Sequence, residues 1–224
     1  MGSTEAMAAG PVLVIAPHAL DEVLGCGGAV AKAARAGARI DVLILMGDGS
    51  GRDAARRVAA GKAAQLLGAR PPRFAGFPEN RSDEVPLLEL VGAVERAVRE
   101  SAPTSVYVSH AGNLNLDHRR TFEASVTALR PQPGQPVRAV YAYEILSSTN
   151  WAPRGIGPVF LAQHFVDISG VFPAKLAALE LYGDEMRTPP HARSLEAVKA
   201  HAAYRGSTVG VAYAEAFEVV RAIA

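Results

Sequence analysis

Short apolar runs alternate with helix-forming segments along the first 130 residues of the chain. The runs PVLVIAPH, RIDVLILMGDG, PPRFAGF and TSVYVSH predict four buried strands. Helices are predicted over residues 21–36, 53–67, 86–100 and 117–129. Gly37 and Gly68 stand where the first two helices should end, and Pro86 stands in the first turn of the third. This alternation predicts right-handed crossovers and a mainly parallel sheet.

The last 90 residues are less regular. VRAVYAYEIL and AQHFVDIS predict two further strands, and residues 174–186, 194–204 and 213–223 predict helices. The segment SSTNWAPRGIGPVF is rich in Gly and Pro, and we interpret it either as a loop over the site or as an ordinary surface loop. The fold class expected is α/β: one Rossmann-like, three-layer domain over residues 11–224, with residues 1–10 as a flexible N-terminal tail.

Composition narrows the function classes. Lys and Arg (23) nearly balance Asp and Glu (22), so the chain has no charge excess that would attract nucleic acid or an anionic membrane. No apolar run reaches the roughly 18 residues that a transmembrane helix needs. The single cysteine, Cys26, excludes an internal disulfide. We therefore expect a cytoplasmic protein with a small-molecule substrate and no nucleic-acid or membrane partner. A homo-oligomer is compatible with these features.

Candidate metal ligands follow two of the predicted strands. His18 and Asp21 come after the first strand, and SHAGNLNLDHRRTF places His110 and His118 after the fourth. The carboxyl ends of parallel strands meet at one sheet edge, where two imidazoles and a carboxylate could hold zinc with one coordination position open. Taken singly, each residue has a plainer interpretation, since His18 could be a structural histidine and Asp21 a helix N-cap.

The glycines in LGCGG do not fit a dinucleotide-binding loop. Such a loop has G-x-G-x-x-G between strand and helix, whereas Gly25, Gly27 and Gly28 follow two acids and fall inside the predicted helix. Acidic side chains at that place would repel a pyrophosphate. We therefore expect these glycines to allow close contact between the helix and the sheet.

Both motifs resemble those of the PIG-L/LmbE family of zinc-dependent de-N-acetylases. PHALDEVLGCGG is similar to the family's P-H-P-D-D-E motif with its glycine-rich turn, and NLNLDHRRT is similar to D-L-N-x-D-H-R. LILMGDG, YEILSSTNW, HARS and RGSTVGVAYAEAF extend the likeness from residue 11 through most of the chain, toward a bacterial sugar-modifying subgroup. The resemblance implies that His18, Asp21 and His118 are zinc ligands.

The sequence departs from the family pattern where catalysis is expected. The resemblance implies an aspartate general base at the position of Leu20, and leucine cannot take a proton. Asn115 stands where many members have a histidine; it can donate a hydrogen bond to an oxyanion but cannot deliver a proton at neutral pH. Asn113 replaces an aspartate of the subgroup pattern, and Ala59 a glutamate of an R-x-x-E stretch that begins at Arg56.

Three hypotheses follow from Leu20. Another group at the same edge, His110, Asp117 or Asp48, acts as the base; the substrate supplies its own base; or the chain binds metal and a sugar ligand without hydrolysing it. We expect zinc-dependent hydrolysis of an N-acyl group from an amino sugar or sugar-like metabolite, acting on a linear amide. The alternative is a catalytically weak or inactive binding protein of the same fold.

The predicted site residues fall into three groups. The metal ligands are His18, Asp21 and His118; the catalytic candidates are His110, Asn115 and Asp117; the substrate-binding candidates are Arg52, Arg56 and His191. The arginines are included because a guanidinium pairs bidentately with carboxylate or phosphate, although solvated helix faces would explain them too.

Overall fold

The computed structural model describes residues 10–223, so most of the predicted N-terminal tail, residues 1–9, lies outside the described residues. The helices are α1 (Asp21–Arg35), α2 (Gly51–Leu67), α3 (Leu87–Ser101), α4 (Leu116–Ala128), α5 (Phe172–Glu180) and α6 (Leu195–Ser207). Short 3₁₀ turns cover Ser82–Glu84 and Gly183–Glu185. No helix within residues 10–223 has both the length and the apolar character needed to cross a membrane.

The strands form a seven-stranded sheet. They are β1 (Val12–Ala16), β2 (Ile40–Met46), β3 (Arg73–Phe77), β4 (Ser105–Ser109), β5 (Ala139–Tyr143), β6 (His164–Asp167) and β7 (Ala214–Ala222). Their order is β3-β2-β1-β4-β5-β7-β6, and the pairs from β3 through β5 are parallel. The predicted α/β, mainly parallel architecture is therefore confirmed.

Two apolar cores lie on opposite faces of the sheet. Side chains alternate along β1, so Val12 and Val14 join one core while Leu13 and Ile15 join the other. Helices α1, α2 and α5 cover the first core, and α3 and α4 cover the second. The result is the three-layer arrangement expected from the sequence.

The helix termini follow local chemistry. The side chains of Ser50 and Asn115 accept backbone N–H groups in the first turns of α2 and α4, and Gly68 ends α2 with φ +79°. Such caps satisfy backbone groups that have no partner inside a helix. Helix α4 begins a few residues after β4 ends, so its first turn lies at the carboxyl edge of the sheet.

The carboxyl-terminal predictions need correction. The sequence predicts a helix over residues 213–223, but Ala214–Ala222 form β7, antiparallel to both β5 and β6. The stretch AEAFEVVRA contains good helix formers, yet pairing with two strands outweighs that local preference. The helix predicted over residues 174–186 begins earlier, at Phe172, and ends at Glu180.

Two glycines of α1 allow the close packing expected of them. A Cβ atom on Gly25 would lie 2.1 Å from Cδ2 of Tyr143, and one on Gly28 would lie 2.6 Å from Cγ2 of Ile168. Both distances are too short for any real side chain. The amino-terminal end of α1 therefore lies directly against the sheet, and the residues before it are held at the carboxyl end of β1.

Candidate active site

Two imidazoles and a carboxylate converge at the carboxyl edge of the sheet. His18 and Asp21 occupy the β1–α1 connection and the first turn of α1, and His118 lies in the first turn of α4. Asp21 Oδ2 is 3.3 Å from both His18 Nδ1 and His118 Nε2. One ligand atom from each residue lies within 4.8 Å of the others. The structure thus brings together the three residues that the sequence singled out as metal ligands.

Asp117 contacts the ring nitrogen of His18 that faces away from Asp21. Its Oδ2 lies 2.8 Å from His18 Nε2 and also accepts the backbone N–H of Asn80 at 2.6 Å. Burial would raise the pKa of Asp117, but hydrogen bonds from His18, Ser82 and Asn80 lower it to about 2. Asp117 is therefore an ionised, fully buried acceptor. A carboxylate on the far nitrogen of a metal-binding histidine orients the ring and fixes its tautomer.

The two histidines differ in protonation. Burial alone would lower the pKa of His18, but its hydrogen bonds to Asp117 and Asp21 raise that pKa to about 9. Burial lowers the pKa of His118 to about 4, so its imidazole is neutral at neutral pH. His118 Nδ1 is buried and has no hydrogen-bond partner among the described residues.

These residues fit a zinc ion. Zinc takes imidazole nitrogen and carboxylate oxygen, and three protein ligands leave one position open for chemistry. A buried, neutral imidazole at His118 and a carboxylate shared between two imidazoles are the donors that such a site requires. His18, Asp21 and His118 are thus the residues that would hold the ion.

Leu20 lies next to this triad in an unusual backbone conformation. Its φ is +103°, which is rare for a residue with a bulky side chain. Its N–H donates to Glu22 Oε2 at 2.9 Å, and the hydroxyl of Tyr182 donates to Glu22 Oε1. Burial raises the pKa of Glu22 to about 7. Sequence reasoning missed Glu22 and Tyr182, because a contact between residues 160 positions apart leaves no local signal.

A cavity of about 440 Å³ opens over the triad. Arg56 pairs with Glu79 and Arg52 with Glu185 across its wall, each through two hydrogen bonds. The lining also includes Leu20, Asn80, Leu114, Asn115, Trp151 and Arg193. Trp151 thus brings the start of the 147–160 loop to the site. Sequence patterns did not indicate Glu79 or Glu185, since nothing local reveals that they face the same space.

The remaining predicted residues lie in different surroundings. Asn115 lines the cavity, where its Oδ1 accepts the Asp117 N–H at 2.7 Å and its Nδ2 donates to Asn80. His191 does not line the cavity but packs edge-on against Trp151, with ring centroids 5.3 Å apart. Asp48 is exposed and lies outside the cavity lining.

His110 is the predicted catalytic residue that the structure places farthest from that role. It is completely buried, its Nδ1 accepts the Gly112 N–H at 3.0 Å, and its Nε2 lies 3.2 Å from Glu218 Oε2. Burial lowers its pKa despite the nearby carboxylate. His110 does not line the cavity, so the structure does not bring it to the triad.

Comparisons with known proteins identify a family for this chain. The family pattern described as "PIG-L: GlcNAc-PI de-N-acetylase" matches residues 13–129, a range that contains the whole triad. A protein of Escherichia coli K12, described as the uncharacterized deacetylase YaiS, is 27% identical over 177 residues, covering 75% of this chain and 88% of YaiS.

Solved structures show the same fold. The conserved protein TT1542 from Thermus thermophilus superposes with a TM-score of 0.77 at 28% identity, covering 95% of each chain. The N,N'-diacetylchitobiose deacetylase from Pyrococcus horikoshii superposes with a TM-score of 0.74 at 20% identity, covering 94% of this chain and 84% of that one. With its family pattern matched across more than half its length, this chain belongs to the PIG-L (LmbE-like) deacetylase family.

Proposed function

We propose that this chain is a zinc-dependent hydrolase that removes an N-acyl group, acetyl in the simplest case, from an amino sugar or sugar-like metabolite. The observation that carries the proposal is the convergence of His18, Asp21 and His118 below a polar cavity in a deacetylase-family chain. A zinc ion held by these residues would supply the Lewis acidity that polarises an acyl carbonyl and lowers the pKa of bound water toward neutrality.

The reaction is amide hydrolysis. Water adds to the acyl carbon, the carbon–nitrogen bond breaks, and the departing amine takes up a proton, which yields a carboxylic acid and a free amino sugar. The Asn115 amide faces the cavity and can donate a hydrogen bond to the negative charge that develops on the acyl oxygen. Asp117 keeps His18 oriented while this happens.

The cavity wall suits a hydroxylated substrate. Arg56 and Glu79 form a buried donor–acceptor pair, and sugar hydroxyls can accept from the guanidinium and donate to the carboxylate. Arg52 and Glu185 offer the same combination closer to solvent. Trp151 supplies an apolar face at the rim, and His191 holds its indole edge-on. The P. horikoshii neighbour, by its description, acts on an N-acetylated sugar, which favours this substrate class.

Leu20 changes which group can act as the general base. Of the bases considered from the sequence, His110 and Asp48 lie outside the cavity lining, and Asp117 is buried against His18. The carboxylates that do line the cavity beside the triad, Glu79 and Glu185, are each held by an arginine. We therefore favour a base that the substrate supplies, such as a neighbouring carboxylate or phosphate.

A second candidate function is ligand binding without efficient hydrolysis. The observation that favours it is the apolar side chain of Leu20, which lines the cavity beside the triad and is only 3% exposed. General base catalysis contributes about 10²- to 10⁴-fold to such reactions. A chain that lacks a base and receives none from its substrate would keep zinc and sugar affinity but turn over slowly.

The test measures zinc content and acetate release from N-acetylglucosamine, from N,N'-diacetylchitobiose and from an N-acetylated sugar that carries a carboxylate beside the amide. We expect the native chain to bind one zinc and His118→Ala to lose it. Leu20→Asp should raise acetate release about 10²- to 10⁴-fold, since aspartate tolerates a positive φ better than leucine does. Leu114→Asp, which adds an acid elsewhere in the same cavity, is the matched control and should give no comparable gain.

The outcomes separate the two functions. Native hydrolysis that is fast on the carboxylate-bearing sugar and disappears in His118→Ala supports the hydrolase. Zinc and sugar binding with slow native turnover of all three sugars, the carboxylate-bearing one included, supports the binding protein. A native chain that takes up no zinc, with ligand binding unchanged in His118→Ala, contradicts both.

A further inference from the structure

Helix α1 is broken in the middle. Cys26 has φ −145° and ψ 18°, outside the helical range, and it separates an amino-terminal half, Asp21–Gly25, from the remainder of the helix. In a continuous helix the N–H of residue 28 would donate to the carbonyl of residue 24. A break of this kind leaves buried backbone groups that need other partners.

A buried ion pair supplies those partners. Glu215 of β7 accepts the N–H of Gly28 at 2.8 Å through Oε1 and the N–H of Ala29 at 2.7 Å through Oε2. Lys175 of α5 donates from Nζ to the Leu24 carbonyl at 2.8 Å and to Glu215 Oε1 at 2.6 Å. The two side chains therefore stand in place of the missing helical hydrogen bond, one on each side of the break.

Completing the helix with a buried ion pair costs free energy. Both side chains are only 4% exposed, and removing two charges from water carries a large desolvation cost. Extra hydrogen bonds offset that cost, and here every one of them reaches the broken turn or the partner charge. An unbroken helix would have needed neither charge. The pair therefore specifies a geometry that a regular helix does not provide.

The half of α1 before the break carries Asp21, the candidate metal ligand. Asp21 opens this half, and Gly25 near its end lies against the Tyr143 ring, whose hydroxyl donates to the Ile15 carbonyl at 2.9 Å. The break lets this half take its own direction relative to the rest of α1. Its direction sets where the Asp21 carboxylate lies relative to His118 on α4.

We propose that the buried Lys175–Glu215 pair is a positioning device for the metal site, which holds the first half of α1 so that Asp21 meets His118. Neither residue lines the cavity over the triad, so both act through the backbone of α1. This inference rests on the metal site of the proposed function, but not on the reaction or the substrate.

The test compares zinc affinity in two double variants. Lys175→Met with Glu215→Gln removes both charges and keeps the side-chain volumes, so no buried charge is left unpaired. The matched control is Glu144→Gln with Arg205→Gln, which removes a less buried ion pair between the residue after β5 and helix α6. This pair makes no hydrogen bond to α1. Zinc affinity is measured by competition with a chromophoric chelator, and folding by circular dichroism and thermal melting.

We expect both variants to melt at lower temperature, but only the Lys175/Glu215 variant to bind zinc more weakly, by about tenfold or more. Unchanged zinc affinity in that variant, or an equal loss in the control, overturns the inference. If the double variant does not fold, Glu215→Asp serves, because it keeps both charges and shortens the side chain that accepts the Gly28 and Ala29 N–H groups. It should weaken zinc binding several-fold, and no loss overturns the inference. Failure of the native chain to bind zinc would instead remove the proposed metal site, and the inference with it.

Discussion

Asp117 occupies a position behind the triad, and its surroundings decide which role it can take. It is completely buried, and it accepts hydrogen bonds from two backbone N–H groups besides its contact with His18. A group held in this way orients a neighbour instead of collecting protons from a substrate. Its Oδ2 holds the proton of His18 on Nε2, so Nδ1, the nitrogen that faces Asp21, is the one that would lose its proton and bind metal.

The first prediction concerns this tautomer. Asp117 Oδ2 contacts both His18 Nε2 and the Asn80 N–H, and Oδ1 accepts the Ser82 N–H. In Asp117→Asn the negative charge that holds the His18 proton is lost, and an amide NH₂ at the Oδ2 position would favour the proton on Nδ1. We expect zinc affinity to fall about 10- to 100-fold while the fold is retained. Calorimetric zinc titration measures the change. Asp48→Asn, at an exposed acid outside the cavity, is the control, and a loss of similar size there would contradict the tautomer argument.

Among single residues, the sequence singled out the candidate metal ligands and the arginines beside them, but not the carboxylates with which those arginines pair. His18, Asp21 and His118 each follow a strand or open a helix, so chain position alone indicated a common edge. The pairing of Arg56 with Glu79 and of Arg52 with Glu185 depends on how separate segments approach each other. His110 follows a strand in the same way as the ligands, yet it points toward Glu218 on β7, which the sequence did not place.

Helix α1 shows how one element serves both packing and chemistry. Its first turn carries Asp21, and Gly25 brings that half close to the buried ring of Tyr143. Larger residues at position 25 would push the helix from the sheet and move the carboxylate with it. Packing against β5 and the position of the site are therefore coupled through this glycine.

The second prediction tests that contact. Gly25→Ala would place a methyl group 2.1 Å from Tyr143 Cδ2, and we expect a loss of about 1–3 kcal/mol in the free energy of unfolding. Gly61→Ala in α2 is the control: no atom lies within 4 Å of the added Cβ, so alanine should stabilise the helix by about 0.5–1 kcal/mol. Urea unfolding of both variants provides the measurement. Equal effects at the two positions would mean that packing at Gly25 is not close.

At the scale of the whole molecule, strand β7 joins the carboxyl-terminal region to the rest of the sheet. It lies between β5 and β6 and is antiparallel to both. Phe217 at its centre is completely buried, and its ring centroid lies 5.0 Å from that of Tyr107. The same strand supplies Glu215 to the break in α1. β7 thus connects the core to the element that carries the site.

The third prediction measures the contribution of β7 to global stability. Phe217→Ala should lower the free energy of unfolding by about 3–5 kcal/mol, because the surrounding aromatic side chains cannot close the resulting cavity. Val220→Ala on the same strand, where the side chain is 37% exposed, should change it by about 0.5 kcal/mol or less. Chemical denaturation of the two variants tests this, and similar losses in both would argue against a core role for Phe217.

The sequence by itself determined the parallel half of the fold and the three residues of the candidate metal site, which the structure brings together. Both follow from local information, since hydrophobic periodicity defines strands and helices, and a parallel sheet brings the residues after its strands to one edge. Tertiary structure alone decided that residues 214–222 are a strand, that His110 lies away from the cavity, and that Lys175 and Glu215 complete a broken helix. Each of these depends on contacts between segments distant in the chain, whose free energy exceeds local preference and leaves no periodic pattern in the sequence.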